Sequence, residues 1–279
     1  MKKIKFLAYP YLVWIGLMIV VPMVLIAFYA FTEMGNDVAT VKFTFDNFIQ
    51  FIKDPIYLSV LLKSLYVALL TTVVCLLIGY PAAYAISKLG SRSNVLMILL
   101  ITMPTLINML VRTYAWKSIL EKGGLISTLL TFIGFEPMSL LETDFAVVLG
   151  MVYNFLPFMI LQINTSLSKM DKSLLEAASD LGASKAQGFW RVTFPLSLPG
   201  VISGITLVFL PAVSGFFIPK ILGGGDYVLI GNLIDKQFLT AGDWHFGSAI
   251  SLVMTVIILL SMFLTKKLDR SESPSQGRE

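Results

Sequence analysis

The run Ser64–Ile86, SLYVALLTTVVCLLIGYPAAYAI, decides the class of fold because none of its residues is charged. An α-helix rises about 1.5 Å per residue, so this run is long enough to cross a hydrocarbon layer of about 30 Å. A segment in lipid must pair its own backbone groups, and the run lacks the alternation of apolar and polar residues that marks membrane-spanning strands. It therefore predicts a transmembrane α-helix.

Five further apolar runs flank this one. They cover Tyr9–Phe31, Val95–Trp116, Phe145–Leu167, Leu198–Ile221 and Gly247–Leu264. Hydrophobic residues make up 56% of the chain and charged residues 14%, which leaves too little polar surface for a water-soluble globule. The sequence predicts an all-α, polytopic membrane protein with six transmembrane helices in a single domain, 1–279.

Basic residues indicate the orientation of these helices. The first apolar run follows Lys2, Lys3 and Lys5, but it is longer than the apolar core of a signal peptide and is read as a span. The termini and the even-numbered loops are densely basic, whereas the odd-numbered loops are net acidic. Because lysine and arginine near span ends favour the cytoplasm, both termini are predicted to be cytoplasmic. This distribution explains the excess positive charge without a nucleic-acid partner.

The connector between the fourth and fifth spans, residues 168–197, is too polar to cross a membrane. Its first part contains Ser173 followed three residues later by Glu176, which is the spacing of a capping box. The pattern predicts a helix of about two turns that begins there. Gly182 can take the left-handed conformation that ends such a helix.

The second part of the connector contains another capping-box pattern, Ser184 followed by Gln187. It predicts a second short helix, which Pro195 and Pro199 close before the fifth span. Helices this short are marginal in water, so the bundle, the lipid surface or a partner protein must hold their apolar faces. A packed structural loop and a docking element are both consistent with this pattern.

A longer motif overlaps both helices. Glu176-Ala177-Ala178, three residues, Gly182, nine residues and Val192-Thr193-Phe194-Pro195 resembles the EAA signature of ABC-importer permeases, E-A-A-x3-G-x9-I-x-L-P. Valine at 192 and phenylalanine at 194 replace the usual isoleucine and leucine. The resemblance covers nearly the whole chain and is closest to permeases of spermidine/putrescine importers. Its other segments are 174–184, Leu210-Pro211-Ala212, 229–232 and 243–247.

The resemblance implies the fold and the assembly. It implies a type I ABC importer permease of MetI-like fold in the bacterial inner membrane, which translocates spermidine or putrescine by alternating access. The implied partners are a second homologous permease, two ATP-binding subunits and an external substrate-binding protein. ATP and Mg would be used by the ATP-binding subunits, because this chain has no G-x-x-x-x-G-K-[ST] phosphate loop. We expect a non-enzymatic subunit with no cofactor, catalytic residue or metal site of its own.

Other functions are compatible with parts of the sequence. An importer permease for thiamine, iron or an organophosphonate would share the same motif. A secondary transporter would share the hydropathy but would be expected to show buried charges rather than a capped docking helix. An intramembrane enzyme is disfavoured because the chain lacks HExxH and G-x-S-x-G patterns.

The resemblance also assigns coupling to the ATP-binding subunits to part of the connector, hereafter the coupling segment (168–197). The residues assigned to coupling are Glu176, Ala177, Ala178, Gly182 and Ser184. The two alanines permit close approach of a partner, and Gly182 sets the corner. Glu176 either caps its own helix or pairs with a basic residue of the partner.

A path for a polyamine needs carboxylates or carbonyls for its ammonium groups and aromatic faces for cation–π contact. The six predicted spans contain no acidic residue, so we expect a weak passage whose selectivity resides in the binding protein. The candidate pathway residues are Asn108, Tyr153, Asn154, Phe216, Phe217, Asp226 and Asp243. Helix packing, an interfacial aromatic belt and ordinary loop acids are the alternative explanations.

Gly200 and Gly204 stand four residues apart near the start of the fifth span. Small residues at this spacing lie on one face of a helix and allow two backbones to approach closely in a membrane. The pair therefore predicts a tight helix–helix contact.

Overall fold

The computed structural model describes residues 9–33, 42–134, 136, 138–171 and 173–271. Every element of regular secondary structure among them is a helix. One isolated antiparallel bridge joins Thr32 and Phe43. The all-α prediction is confirmed for this part of the chain. The basic residues Lys2, Lys3 and Lys5 lie outside it.

The α-helices of the described chain are numbered in order. The first group comprises α1 Tyr9–Ile15, α2 Val21–Ala30, α3 Asp46–Lys53, α4 Pro55–Ser87, α5 Ser91–Thr102, α6 Met109–Leu120 and α7 Leu125–Phe132. The second comprises α8 Asp144–Ser168, α9 Ser173–Asp180, α10 Lys185–Gly188, α11 Phe194–Ser214, α12 Phe217–Leu222, α13 Ile230–Lys236 and α14 Trp244–Ser271. Shorter turns complete them, namely π-helical Gly16–Val20, Phe189–Thr193 and Gln237–Ala241 and 3₁₀-helical Met103–Leu106.

Within the described ranges, five helices are long and apolar enough to cross a membrane. They are Val13–Ala30, Pro55–Ser87, Asp144–Ser168, Lys185–Ser214 and Trp244–Thr265. Each overlaps one of the predicted spans. The helix α4 has 33 residues and is therefore about 50 Å long, so it extends well beyond a hydrocarbon layer of about 30 Å.

The third predicted span, Val95–Trp116, is not one straight helix. The segments Ser91–Leu106 and Met109–Phe132 meet at an angle of 87° and count as a single span only if the bent pair is taken together. The 3₁₀ turn with Pro104 precedes the break, and Ile107 has extended ψ of 139°. Asn108 then caps α6, because its side chain accepts a hydrogen bond from the Leu110 amide at 2.8 Å. This local capping explains why the apolar run does not continue as one helix.

The fifth predicted span, Leu198–Ile221, also ends early. Helix α11 stops at Ser214, and Gly215 is extended with φ −67° and ψ 132° before α12 begins at Phe217. Glycine disfavours the helix interior because it loses much backbone freedom there. The residues after Gly215 therefore form a separate short helix rather than the end of the span.

The chain divides into two compact units, one made of 1–62 with 230–259 and the other of 63–229 with 260–279. Within the first unit, the Tyr57 ring lies 6.3 Å from the Phe51 ring and 4.9 Å from the Phe246 ring. His245 Nδ1 lies 2.8 Å from the Thr32 carbonyl oxygen. The aromatic contacts thus link α4 to α3 and α14, and the polar contact links the start of α14 to the end of α2.

The second unit is built around the pair α8 and α11. A Cβ at Gly200 would lie 2.5 Å from Ser166 Cβ and 2.8 Å from the Gln162 carbonyl oxygen. A Cβ at Gly204 would lie 2.6 Å from Met159 Sδ. The two helices approach as closely as the spacing of the glycines predicts, so this prediction is confirmed.

Polar side chains add specific links to the second unit. Asn94 of α5 and Asn164 of α8 exchange amide hydrogen bonds of 3.2 and 3.3 Å. Tyr80 of α4 and Ser197 of α11 have hydroxyl oxygens 2.9 Å apart. Inside a membrane such paired groups avoid the cost of an unsatisfied polar atom and fix the register of neighbouring helices.

Candidate coupling segment and substrate path

The start of α9 differs from the predicted capping box. Ser173 is the first residue of the helix, and Asp171 Oδ1 accepts a hydrogen bond from the Ser173 amide at 3.0 Å. This bond to the backbone lowers the pKa of Asp171 below its ordinary value. The carboxylate therefore remains ionised, and remains an acceptor, except in acid. The predicted box between Ser173 and Glu176 is therefore wrong, because an acceptor two residues earlier occupies the helix start.

The end of α9 agrees with the prediction. Gly182 has φ +80°, and its amide donates to the Ser179 carbonyl at 2.9 Å. The Ala183 amide donates to the Ala178 carbonyl at 3.0 Å. These two bonds form a Schellman motif, which satisfies carbonyls that the helix itself leaves unpaired.

The second helix of the coupling segment begins with the predicted capping box. The backbone amide of Gln187 donates a hydrogen bond to Ser184 Oγ at 3.3 Å. The Ser184 amide in turn donates to Gln187 Oε1 at 2.8 Å. The orientation of α10 is therefore set by reciprocal bonds between these two residues.

Replacement of Ser184 by alanine is expected to loosen α10. The substitution removes the acceptor of the Gln187 amide and costs about 1 kcal/mol, as for other N-cap residues. Hydrogen–deuterium exchange of the full-length protein should show about fivefold faster exchange at the Gln187 amide. Ser184→Asp, which retains an acceptor, should exchange like the wild type; equal acceleration in both variants would contradict the assignment of the cap.

The coupling segment continues into the fifth span without interruption. The prediction that Pro195 and Pro199 close the second helix is wrong, because α10, the π turn and α11 form one helix over Lys185–Ser214. In the π turn the Phe194 amide bonds to the Phe189 carbonyl, five residues earlier. This wider turn lies where the proline ring would otherwise meet the preceding turn. The capped start of α10 is thus continuous with a membrane helix.

Apolar side chains of the coupling segment face in two directions. Leu175 faces inward, since its Cδ2 lies 3.6 Å from a Cβ built on Gly188. Leu181 is 89% exposed and Trp190 is 64% exposed. Apolar surface of the coupling segment is therefore partly packed against the segment itself and partly exposed.

Glu176 is exposed at the surface of the segment. It lines a cavity of about 520 Å³ together with Tyr84, Lys88, Asn94, Leu167 and Thr193. The Thr193 side chain is buried, and its Oγ1 has no hydrogen-bond partner among the described residues. The cavity separates part of α9 from the adjacent ends of α4, α5 and α8.

The candidate pathway residues Tyr153 and Asn154 lie on different sides of α8. The Tyr153 ring makes an edge contact with Trp116 at 5.4 Å, and the Arg112 guanidinium carbon lies 6.0 Å from its centroid. Asn154 is buried and donates to the Gly150 carbonyl at 2.8 Å. Tyr153 therefore belongs to an aromatic and cationic group, whereas Asn154 is buried and bonded to the backbone of its own helix.

Phe216 and Phe217 come together at a second cavity, of about 460 Å³, which Tyr114 and Glu142 also line. Glu142 has φ +65°, a conformation that is strained for a residue with a side chain. Its amide donates to the Leu222 carbonyl at 2.9 Å. Lys117 and Lys220 line the same cavity. Aromatic faces and charges of both signs thus border one opening, and its part in a cation path stays a prediction.

The other three pathway candidates do not join this cavity. Asn108 caps α6, as described above. Asp243, in the other unit, accepts a hydrogen bond from the Phe246 amide at 2.9 Å and so caps α14. Asp226 is exposed in the loop before α13. Two of these three side chains have a clear structural role, and their role in transport stays a prediction.

The family is decided by comparison with known proteins. The model of the family described as "Binding-protein-dependent transport system inner membrane component" matches residues 75–273. The chain belongs to this family.

Two relatives of this inner membrane component are similar over almost their full length. The "Spermidine/putrescine transport system permease protein PotB" of Escherichia coli K12 is 40% identical over 255 residues, which cover 90% of this chain and 92% of the relative. The protein of the same name from Haemophilus influenzae is 38% identical over 254 residues, which cover 90% and 88%.

Solved structures share the fold of the inner membrane component. A bacterial alginate ABC transporter in complex with a periplasmic protein bound to an alginate pentasaccharide has a TM-score of 0.82 at 15% identity, covering 98% of this chain and 96% of that one. The inward-facing MetNI methionine ABC transporter has a TM-score of 0.57 at 14% identity, covering 79% and 100%. The prediction of a MetI-like importer permease fold is confirmed.

One polar cluster of this family member was not predicted from its sequence. Lys63 of α4 and Asp144 of α8 form an ion pair with 3.6 Å between Nζ and Oδ1. Tyr227 donates its hydroxyl to the same carboxylate oxygen at 2.6 Å. The three residues are far apart in the chain, and lysine and aspartate in predicted loops carry no signal of pairing, so only the fold shows that they meet.

Proposed function

We propose that the chain is the membrane-spanning permease subunit of an ATP-driven importer of polyamines, spermidine or putrescine. The observation that carries the proposal is the 40% identity to the spermidine/putrescine permease PotB across 90% of the chain. The substrate would be delivered by an external binding protein and would cross by alternating access. A second homologous permease and two ATP-binding subunits, which use ATP and Mg, would complete the transporter.

The geometry of the coupling segment supports this division of labour. Its first helix ends at the Gly182 corner and its second begins there with a capping box, and exposed Leu181 and Trp190 offer an apolar contact surface. Short amphipathic helices are marginal without such a partner. Docking of an ATP-binding subunit on this surface would transmit its movement through the continuous helix to α11. On this arrangement both termini lie in the cytoplasm, and ATP hydrolysis belongs to the partner.

The test is hydrolysis of ATP by the reconstituted transporter with its binding protein, stimulated by spermidine, putrescine or thiamine. We expect stimulation by the polyamines and none by thiamine. Stimulation by thiamine alone would retain the importer and overturn the polyamine assignment. Hydrolysis that needs no separate ATP-binding subunit would overturn the whole proposal.

Glu176→Ala is expected to reduce the polyamine-stimulated rate about tenfold, because one charge-assisted hydrogen bond contributes about 1.5 to 3 kcal/mol. Alanine is the strongest helix former, so α9 should persist. Asp180→Ala removes a carboxylate from the same helix and serves as the control. Equal losses in both variants would show that Glu176 has no special role in coupling.

A further inference from the structure

The Lys63 ammonium group is held by an aromatic ring and a carboxylate. Its Nζ lies 3.7 Å from the centroid of the Tyr227 ring and 3.6 Å from Asp144 Oδ1. A carboxylate and an aromatic face therefore hold one alkylammonium group between them. These are the two kinds of group that recognise such a cation, one by charge and hydrogen bonding and the other by the electrons of the ring.

The ring is held by packing, and the carboxylate is positioned by the start of α8 and by the Tyr227 hydroxyl. Asp144 follows Thr143, whose side chain accepts from the Ala146 amide and caps α8. Tyr227 is only 7% exposed and packs closely on Gly223, where a Cβ would lie 2.5 Å from its Cγ. Burial, together with the hydrogen bond to Asp144, raises the pKa of Tyr227, so its hydroxyl remains a donor.

The Lys63 side chain can move away from Asp144 and Tyr227. It is 41% exposed, and that of Asp144 is 53% exposed. An ion pair open to solvent is weak and screened by salt, and a flexible four-carbon stem has many alternative conformations in water. A soluble ammonium group can therefore take the place of the Lys63 ammonium without leaving the carboxylate unpaired.

We propose that Asp144 and Tyr227 form a subsite for a primary ammonium group of the cargo, and that Lys63 is its tethered occupant in the absence of substrate. The occupant and the expected ligand share one chemical group, a primary ammonium on an alkyl stem. On the predicted orientation, with both termini in the cytoplasm, this subsite lies near the outer ends of α4 and α8. The identity of the cargo as a polyamine rests on the proposed function.

The test is equilibrium binding of radiolabelled putrescine to the assembled transporter in lipid nanodiscs, without the binding protein and at low ionic strength. Lys63→Gln removes the competing ammonium and leaves both parts of the subsite intact, so the dissociation constant should fall about fivefold. Asp144→Asn and Tyr227→Leu should each weaken binding by about tenfold or more. Unlabelled spermidine should compete, and uncharged 1,4-butanediol should not.

Two neighbouring charges provide matched controls. Glu121→Gln and Lys122→Gln remove one charge each from an exposed turn outside the cluster and should leave the dissociation constant unchanged. If Lys63→Gln weakens binding or does not change it, the lysine is an ordinary structural ion pair and the proposal is overturned. The Lys63→Gln result tests the proposal even if Asp144→Asn unfolds, because Lys63→Gln alters neither Asp144 nor Tyr227.

The subsite and the proposed function fail in different ways. If the wild-type transporter is stimulated by polyamines but Lys63→Gln and Asp144→Asn bind putrescine as it does, the subsite alone is overturned. If ATP hydrolysis responds only to thiamine, the polyamine function is overturned. Saturable putrescine binding that still follows the expected order of variants would then support the subsite as an ammonium site unconnected with uptake.

Discussion

Gly200→Ala is expected to destabilise the protein more than any other single methyl addition at a described glycine of the α8 and α11 contact. The new Cβ would lie 2.8 Å from the Gln162 carbonyl oxygen and 3.2 Å from Ile163 Cα, both of which are backbone atoms of α8. Backbone atoms cannot turn away, so the helices must separate. The cost is about 3 kcal/mol, the upper part of the usual range for overpacking.

Gly204, one turn further along the same helix, provides a control for Gly200→Ala. At Gly204 the nearest atom to a new Cβ is the sulfur of Met159, at 2.6 Å. A thioether at the end of an unbranched side chain can move, so Gly204→Ala should cost only about 1 kcal/mol. At Gly16 no atom lies within 4 Å of the new Cβ, and alanine there should stabilise the helix slightly.

Thermal unfolding of the detergent-solubilised protein, followed by size-exclusion chromatography, distinguishes the three variants. The Tm of Gly200→Ala should be lower than the wild-type value by about 5 °C or more. That of Gly204→Ala should fall less, and that of Gly16→Ala should not fall. Equal stability of Gly200→Ala and Gly204→Ala would mean that α8 and α11 are not held as closely as the structure shows.

The parts of the fold that the sequence predicted depend on local pattern. The apolar runs predicted the long helices, because a membrane imposes a minimum length on each. Gly200 and Gly204 predicted a close contact, since their spacing places both on one face. The corner at Gly182 was predicted for a similar reason, as few other residues adopt a positive φ without strain.

The errors arose where two local signals compete. Asp171 and Ser173 can both accept a bond at the start of α9, and the sequence does not show which one does. Pro195 normally ends a helix, but a π turn just before it accommodates the ring, and such turns have no reliable sequence pattern. At the break after Pro104, the capping bond of Asn108 outweighs the continuity of the apolar run.

The candidate sites differ in how far the sequence predicted them. The coupling segment is contiguous, so its motif and its helix ends were visible in one stretch. The cavity that brings Phe216 near Glu142, and the cluster of Lys63, Asp144 and Tyr227, depend on the packing of distant segments. Without a covarying set of sequences, such contacts follow only from the fold.

Gly182→Val is expected to uncouple transport from ATP hydrolysis. Valine in the left-handed conformation costs about 1 to 2 kcal/mol, so the chain should leave φ +80° and break the bonds from Gly182 and Ala183 to α9. No atom lies within 4 Å of a Cβ at this position, so the effect acts through the backbone alone. Solute-stimulated hydrolysis should fall about tenfold, the equivalent of about 1.4 kcal/mol.

Gly182→Asn is the matched variant, because it adds a side chain of similar size but tolerates the left-handed conformation. It should retain most of the stimulated rate, while unfolding temperatures of both variants remain close to the wild type because the corner is exposed. A similar loss in both would mean that bulk at the docking surface, rather than the angle between α9 and α10, limits coupling. Full activity of Gly182→Val would show that the corner has no part in transmitting movement to α11, since the continuous helix over Lys185–Ser214 would then work without a fixed attachment to α9.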